Sequence, residues 1–455
     1  MTTTTPAAFG AASPATAGTI EVIDAVELAV VERSGFIESR HAGAAVVLGS
    51  DGAVLRALGD VNAPVFPRSS MKPFQAIAVM ASGVVLRGED AAIATSSHSG
   101  TQKHTDLVRG LLARAGLSEA DLGCTPTWPG DSGTRDSLVR QGAGPAPIYS
   151  DCSGKHAAML VACVQNHWPT AGYLDPEHPL QKRILDVVER FTGERPAASG
   201  VDGCGAPVHA LSLTALARGI ARIATSKSSS PFAIYREAGF LAEAVRENGW
   251  VIAGPAPIYS DCSGKHAAML VACVQNHWPT AGYLDPEHPL QKRILDVVER
   301  FTGERPAASG VDGCGAPVHA LSLTALARGI ARIATSKSSS PFAIYREAGF
   351  LAEAVRENGW VIAGPGLPDS IAIERLGLFV KGGAEGIMVA SAENGTTVAL
   401  KILDGNLRAA TIVALSLLAD AGAVRRADID AIVPELKLGV LGGGQPIGQI
   451  RASYV

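Results

Sequence analysis

The sequence contains no stretch of about 18 uninterrupted apolar residues, the length a membrane-crossing helix needs, so no membrane span is expected. It has no surplus of positive charge either: 39 Lys and Arg stand against 43 Asp and Glu, interspersed along the chain, for a formal charge of −4. Without a basic stripe, nucleic acid is not an expected partner, whereas a small solute is. Cysteine is sparse. Cys124, Cys152, Cys163, Cys204, Cys262, Cys273 and Cys314 are too few and too scattered for a disulfide scaffold, and free or metal-bound thiols in a reducing cytoplasm fit them better. The first 18 residues are rich in Ala, Thr and Pro. They have neither the basic start nor the apolar run of a signal peptide and read as a disordered tail.

What the sequence does have is a long stretch of itself, twice. Residues 143–255 recur without a single difference at 253–365, a shift of 110 positions. Solenoid and propeller units run to about 20–50 residues and drift apart in sequence, so this repeat is not of that kind. Removing one copy leaves 345 residues, enough for one large or two ordinary domains, and 47% apolar residues are enough for a substantial core. The organisation read from this is a tail (1–18), an N-terminal α+β part (19–142), copy one (143–252), copy two (253–362) and a C-terminal α+β part (363–455), with one of the two copies surplus. The expectation is that one copy packs and the other stays attached as a poorly ordered appendage.

In chain order, Val46 to Leu55 predicts two strands around an Asp51-Gly52 hairpin turn. Ser69 or Ser70 predicts a helix cap, with Pro73 in the first turn and Lys72 one turn beyond Ser69. A helix is expected from His104 to Ala115 and a loop between Pro126 and Pro147. Inside the repeat, Gly154 to His167, Gln181 to Phe191 and the Ala-rich Val208 to Ala224 carry helical spacing. Strands are expected at Leu376 to Val380, Ile387 to Ser391 and Thr396 to Leu403, then a helix from Asn406 to Ala421 and a closing strand near Ile447 to Ala452. Sheet at both ends with helices between predicts an α+β fold in which the terminal strands join one antiparallel sheet around an inserted helical region.

Several words could carry chemistry. Ser69-Ser-Met-Lys72 has the Ser-x-x-Lys spacing, in which a lysine of lowered pKa can take a serine proton; alternatively it is a capping serine and a surface lysine. Ser-x-x-Lys, then Ser150-Asp151-Cys152, then Lys381-Gly382-Gly383 follow the order of the Ser-x-x-Lys, Ser-Asp-Asn and Lys-Thr-Gly elements of serine acylases of the β-lactamase and penicillin-binding class, with Cys in place of Asn and Gly in place of Thr. Cys152 and Lys155 at a helix start, and Cys204 two residues after Asp202, offer two thiolates, an amine and an acid. They read either as a metal site with an unusual lysine ligand or as buried structural cysteines. The glycine-rich words near Lys381 and Gly442 lack a phosphate-loop frame and are explained by tight turns.

Taken together, Ser-Ser-Met-Lys-Pro-Phe-Gln, Ser-Ser-His-Ser-Gly, Cys-Ser-Gly-Lys-His, Val-Asp-Gly-Cys-Gly-Ala-Pro and Lys-Gly-Gly-Ala-Glu-Gly resemble the rhizobial-type L-asparaginases, from about Val22 to the C-terminus once a copy is removed. The resemblance implies hydrolysis of L-asparagine to L-aspartate and ammonia, a fold similar to glutaminases and serine β-lactamases, and a homodimer. It implies two Ser–Lys pairs, Ser69 with Lys72 and Ser97 with Lys381, Ser99 being the alternative to Ser97. It also implies a zinc ion on Cys152, Lys155 and Cys204 with Asp202 close by. The repeat duplicates these as Cys262, Lys265, Cys314 and Asp312. The rival readings are a different serine acylase and an inactive zinc-binding duplicate.

Overall fold

A computed structural model describes residues 18–49, 51–252, 263–312 and 314–453. The chain falls into two compact units. One holds Gly43–Pro257 and the short stretch Leu441–Ile447; the other holds Glu27–Ala42, Ile258–Val440 and the C-terminal end.

The strands β1 (Val26–Arg33) and β2 (Phe36–Gly43) pair with each other. β3 (Ala45–Leu48) and β4 (Val54–Leu58) form the antiparallel hairpin expected around Asp51-Gly52. The first unit continues with α1 (Lys72–Met80), α2 (Gly88–Ile93) and α3 (Gln102–Arg114). A further helix, α4 (Ser132–Arg140), lies where a loop was expected. Asp131 caps it by accepting from the Thr134 N–H, so a local hydrogen bond overrides the surrounding Gly and Pro.

Copy one supplies α5 (Ser153–Gln165), α6 (Pro179–Thr192), the hairpin β5 (Ala198–Val201) and β6 (Pro207–Ser212), α7 (Leu213–Thr225) and α8 (Ala233–Glu247). The helix expected from Val208 to Ala224 is therefore a buried strand and then a helix. A short strand buried on both faces has no period of its own to separate it from a helix, and the break is set by Ser212, whose hydroxyl accepts from Ala215 N–H. The core of this unit gathers the buried faces of α1, α2, α3, α5 and α6.

The second unit repeats the pattern with α9 (Ser263–Gln275), α10 (Pro289–Thr302), β7 (Ala308–Val311), β8 (Pro317–Ala320), α11 (Leu323–Thr335) and α12 (Ala343–Glu357). It ends with α13 (Pro368–Leu376), a three-stranded antiparallel sheet of β9 (Phe379–Gly383), β10 (Ile387–Ser391) and β11 (Thr397–Lys401), and α14 (Ala410–Asp420). Its core is built around α13, α14 and this sheet.

The mixture of helices with small antiparallel sheets is the α+β class. Among the described residues the single sheet uniting the strands of both chain ends is not formed: the strands make separate two- and three-stranded sheets. Duplication gives the physical reason. One helical sequence now exists twice, and α7 covers β3 while its twin α11 covers β10 and β11, so each set of strands finds its own cover.

Candidate active site

The site begins at the turn before α1. Residues Arg68–Met71 form a 3-10 turn, and Pro73 then falls in the first turn of the α-helix, where its missing N–H costs nothing. Arg68 takes a positive φ of 52°, a conformation uncommon outside glycine. Ser69 is thus not the cap of α1. It lies exposed in the tight turn, while Lys72 points inward and is 1% exposed.

Inside, the Lys72 amine donates to Ser96 O at 2.7 Å and to Ser97 Oγ at 2.9 Å, and it reaches Asp151 Oδ2 at 3.3 Å. Among the described residues none of its hydrogen bonds goes to Ser69. The hydroxyl that the buried lysine touches is that of Ser97, 25 residues away in the chain. Burial would raise the Asp151 pKa, but the Lys72 charge and hydrogen bonds from Cys152 and Lys72 outweigh it and hold this carboxyl below its usual range.

His98 fixes the segment that carries Ser97. Its Nε2 meets Ser153 Oγ at 2.9 Å, Ser153 itself donates to Ile148 O, and its Nδ1 accepts the Gly100 N–H. This pattern needs a neutral ring with the proton on Nε2. Close approach of α5 makes it possible: a Cβ on Gly154 would lie 2.3 Å from Ile93 O, so only glycine lets the start of α5 meet the end of α2. His104 stacks on His98 with ring centroids 5.2 Å apart.

Burial, with His104 and Lys72 beside it, lowers the His98 pKa from 6.5 to about 3. The unfolded chain therefore takes up a proton at His98 below about pH 6.5 that the folded chain refuses until about pH 3, so stability falls with pH across that window, by up to about 1.4 kcal/mol per pH unit from this group. Denaturant midpoints measured from pH 7 to pH 4 should fall less steeply in His98→Gln than in the parent, by about one proton. Parallel slopes would show that His98 is not the group responsible.

A second cluster lies beside the first, through the neighbours Asp151 and Cys152. Lys155, 2% exposed, donates to Cys204 Sγ at 3.1 Å. A hydrogen bond from Cys152 holds the Cys204 thiol far below its usual range; burial opposes this, and His156 and Lys155 reinforce it. Cys152, as the donor, is pushed far up by the same bond and by burial. Burial would lower Lys155, but the Cys204 thiolate and Cys152 outweigh it, so the ammonium persists. One thiolate, one thiol and one ammonium thus share a buried space. Asp202 sits at its edge, 2.7 Å from Arg68 Nη2. His156 is held by Tyr173 Oη at 2.6 Å from its Nδ1.

Among the described residues no group of three or more His, Cys, Asp and Glu is placed to hold a metal ion. The donors that do converge in copy one are two sulfurs and an amine. Sulfur is a fitting donor for zinc, and the amine fits only once its proton leaves.

The same residues in copy two have different surroundings. Lys265 Nζ lies 3.3 Å from Asp312 Oδ2, with 41% of its side chain exposed. Cys314 is partly exposed and 3.6 Å from the same carboxylate. A backbone hydrogen bond from Ala316 and a side-chain bond from His266 lower its pKa to about 7. Cys262 lies outside the described residues. Lys381 is exposed on β9, where its amine donates to Gly382 O; it belongs to the second unit, and Ser97 to the first. Ser99 is buried and its carbonyl accepts the Asp131 N–H.

Three functional candidates escaped the sequence reading: Asp151 and His98, both inside words singled out there, and Arg68, next to Ser69. Their roles depend on contacts 55 and 79 residues apart in the chain, between His98 and Ser153 and between Lys72 and Asp151, and at long range between Arg68 and Asp202, which no spacing rule encodes.

Residues 29–257 and, again, residues 253–452 match the profile of a family described as L-asparaginase II. The two matches together span most of the chain and divide at the repeat. No curated protein matches it. No helix among the described residues is long and apolar enough to cross a membrane.

Proposed function

The chain belongs to the L-asparaginase II family, and on that premise we propose that it hydrolyses the side-chain amide of L-asparagine to L-aspartate and ammonia at the copy-one site. The observation that carries this reading is the 2.9 Å contact between the buried Lys72 amine and Ser97 Oγ. A serine hydroxyl attacks an amide at neutral pH only when a base takes its proton, and the Lys72 amine at hydrogen-bond distance is such a base once the ammonium that pairs with Asp151 has given up a proton.

In the proposed mechanism Ser97 Oγ adds to the side-chain carbonyl carbon as its proton passes to Lys72. The same proton goes to the departing nitrogen, which leaves as ammonia and an aspartyl ester remains on Ser97. Water then attacks the ester carbonyl, giving one proton to Lys72. The C–O bond to Ser97 breaks, Lys72 returns the proton to Ser97 Oγ, and aspartate is released. Asp151 orients the amine, and His98 holds the segment that presents Ser97. Arg68 and Asp202, 2.7 Å apart, provide one cation and one anion for the zwitterionic end of the amino acid.

Cys152, Lys155 and Cys204 are the residues that would hold a zinc ion. Bound there, zinc would supply a fixed positive charge for positioning and polarising the substrate. The Lys155 amine, which donates to Cys204 Sγ at 3.1 Å, would give up a proton to join the two cysteines.

Rapid-quench mass spectrometry with L-asparagine tests the assignment. An aspartyl adduct is expected on the peptide that contains Ser97. An adduct on the Ser69 peptide would move the nucleophile. Labelling of the chain by a fluorescent penicillin, without turnover of asparagine, would favour a serine acylase of another class.

A further inference from the structure

The glycine-rich word Gly442-Gly-Gly-Gln-Pro446 takes no part in the chemistry above, and it occurs once in the chain. It forms the turn between two short strands, Gly439–Gly442 and Gln445–Gln449, and the stretch Leu441–Ile447 belongs to the first unit. Gly443 and Gly444 have φ of 56° and 75°, the positive values that a two-residue hairpin turn asks of both central positions.

This turn lies along Val201–Gly205 of copy one. A Cβ on Gly442 would fall 2.9 Å from Val201 Cβ, and one on Gly443 would fall 3.0 Å from Gly205 Cα. The Gly443 N–H donates to Asp202 O at 3.1 Å, beside the Gly205 N–H, which reaches the same oxygen at 2.8 Å. Both lone pairs of that carbonyl are thereby filled, and the backbone under the Asp202 side chain is pinned. The carboxylate is oriented through one oxygen: Oδ1 accepts from Gly203 N–H at 2.8 Å and meets Arg68 Nη2 at 2.7 Å. Among the described residues Oδ2 takes no hydrogen bond.

The identical turn of copy two is held differently. Asp312 O accepts from Gly315 N–H at 2.8 Å, as its twin does. Among the described residues, however, a Cβ on Gly315 would meet only Leu284 Cδ1, at 3.4 Å. Asp312 Oδ2 lies 3.3 Å from Lys265 Nζ and 3.6 Å from Cys314 Sγ.

We propose, on the reading of Asp202 as the anion for the substrate's amino group, that Gly443 is a positioning residue, whose N–H fixes the Asp202–Gly205 turn and leaves Asp202 Oδ2 open to the ammonium of a free amino acid. The hairpin turn exists once and the turn it holds exists twice, so the chain assembles one such anchor, in copy one.

Gly443→Asn and Gly444→Asn ask the same of the backbone, since asparagine tolerates positive φ. Only the first crowds copy one: the nearest atom to a Cβ on Gly444 is Thr125 Cγ2, at 3.9 Å. Calorimetry with L-aspartate needs no turnover and should give a single site per chain in the parent. Kd should rise about tenfold or more in Gly443→Asn and stay within about twofold in Gly444→Asn. With L-asparagine, KM should rise as Kd does while kcat stays within about threefold, because the contact between Lys72 and Ser97 is untouched. Equal effects of the two substitutions, an unchanged Kd in Gly443→Asn, a loss confined to kcat, or a parent with two equal sites or none would overturn the proposal.

Hydrogen exchange over residues 441–447 tests the contact from its other side. Gly205→Ala and Gly315→Ala carry the same backbone strain, with φ of 89° and 86°, but only a Cβ on Gly205 would press on Gly443 Cα, at 3.2 Å. Exchange should speed up about tenfold in Gly205→Ala and not in Gly315→Ala; equal rates in the two would overturn the proposal. A parent that binds L-aspartate in this pattern but releases no ammonia would refute hydrolysis and leave the positioning role standing. Ammonia release by a parent whose Gly443→Asn variant binds normally would do the reverse.

Discussion

Replacing Lys72 by Met should lower kcat for ammonia release by about a thousandfold, within the range that general-base removal produces. Methionine keeps the length and apolar stem of the buried side chain but can neither accept the Ser97 proton nor donate to Ser96 O. The substitution leaves a carbonyl without its donor and should cost about 1–3 kcal/mol of stability, so near-ultraviolet circular dichroism must first show the variant folded. A folded Lys72→Met protein with kcat within tenfold of the parent would remove the lysine from the chemistry. Ser69→Ala, by contrast, should leave most of the activity, since the serine is exposed in its turn and outside the hydrogen bonds of Lys72.

The second large effect concerns one substitution made at two positions of identical sequence. Cys204→Ala should destabilise the first unit by about 3 kcal/mol, because it strips the thiolate from a buried ammonium and leaves that charge unpaired. Cys314→Ala should cost about 0.5 kcal/mol or less, since Lys265 is 41% exposed and keeps Asp312. Urea unfolding in the presence of a chelator, read separately for the two transitions, makes the comparison. Equal losses would mean that the two clusters are equally packed, contrary to the burial seen here.

That contrast also marks the limit of what the sequence could reveal. Local rules located much of the structure: the Asp51-Gly52 turn located β3 and β4, Pro73 located the start of α1, and helical spacing located α5 and α6. They failed where a single hydrogen bond decides between conformations, at Asp131 before α4 and at Ser212 between β6 and α7. They failed too where a strand is buried on all sides and shows no alternation. At the site, the words around Lys72, Ser97, Cys152 and Cys204 were visible, but the Lys72–Ser97 partnership was not, because Ser-x-x-Lys points to the serine three residues back. The 3-10 turn at Arg68–Met71 turns that serine outward instead. Between the copies no sequence rule can operate at all. Phe191 and Phe301, Leu241 and Leu351, or Cys204 and Cys314 differ only in which other part of the chain reaches them.

The most direct test of the account is steady-state release of ammonia from L-asparagine by the intact 455-residue chain, with Ser97→Ala beside it. Saturable release by the parent and its loss in Ser97→Ala are expected. Silence of the folded parent, or undiminished release by Ser97→Ala, would contradict it.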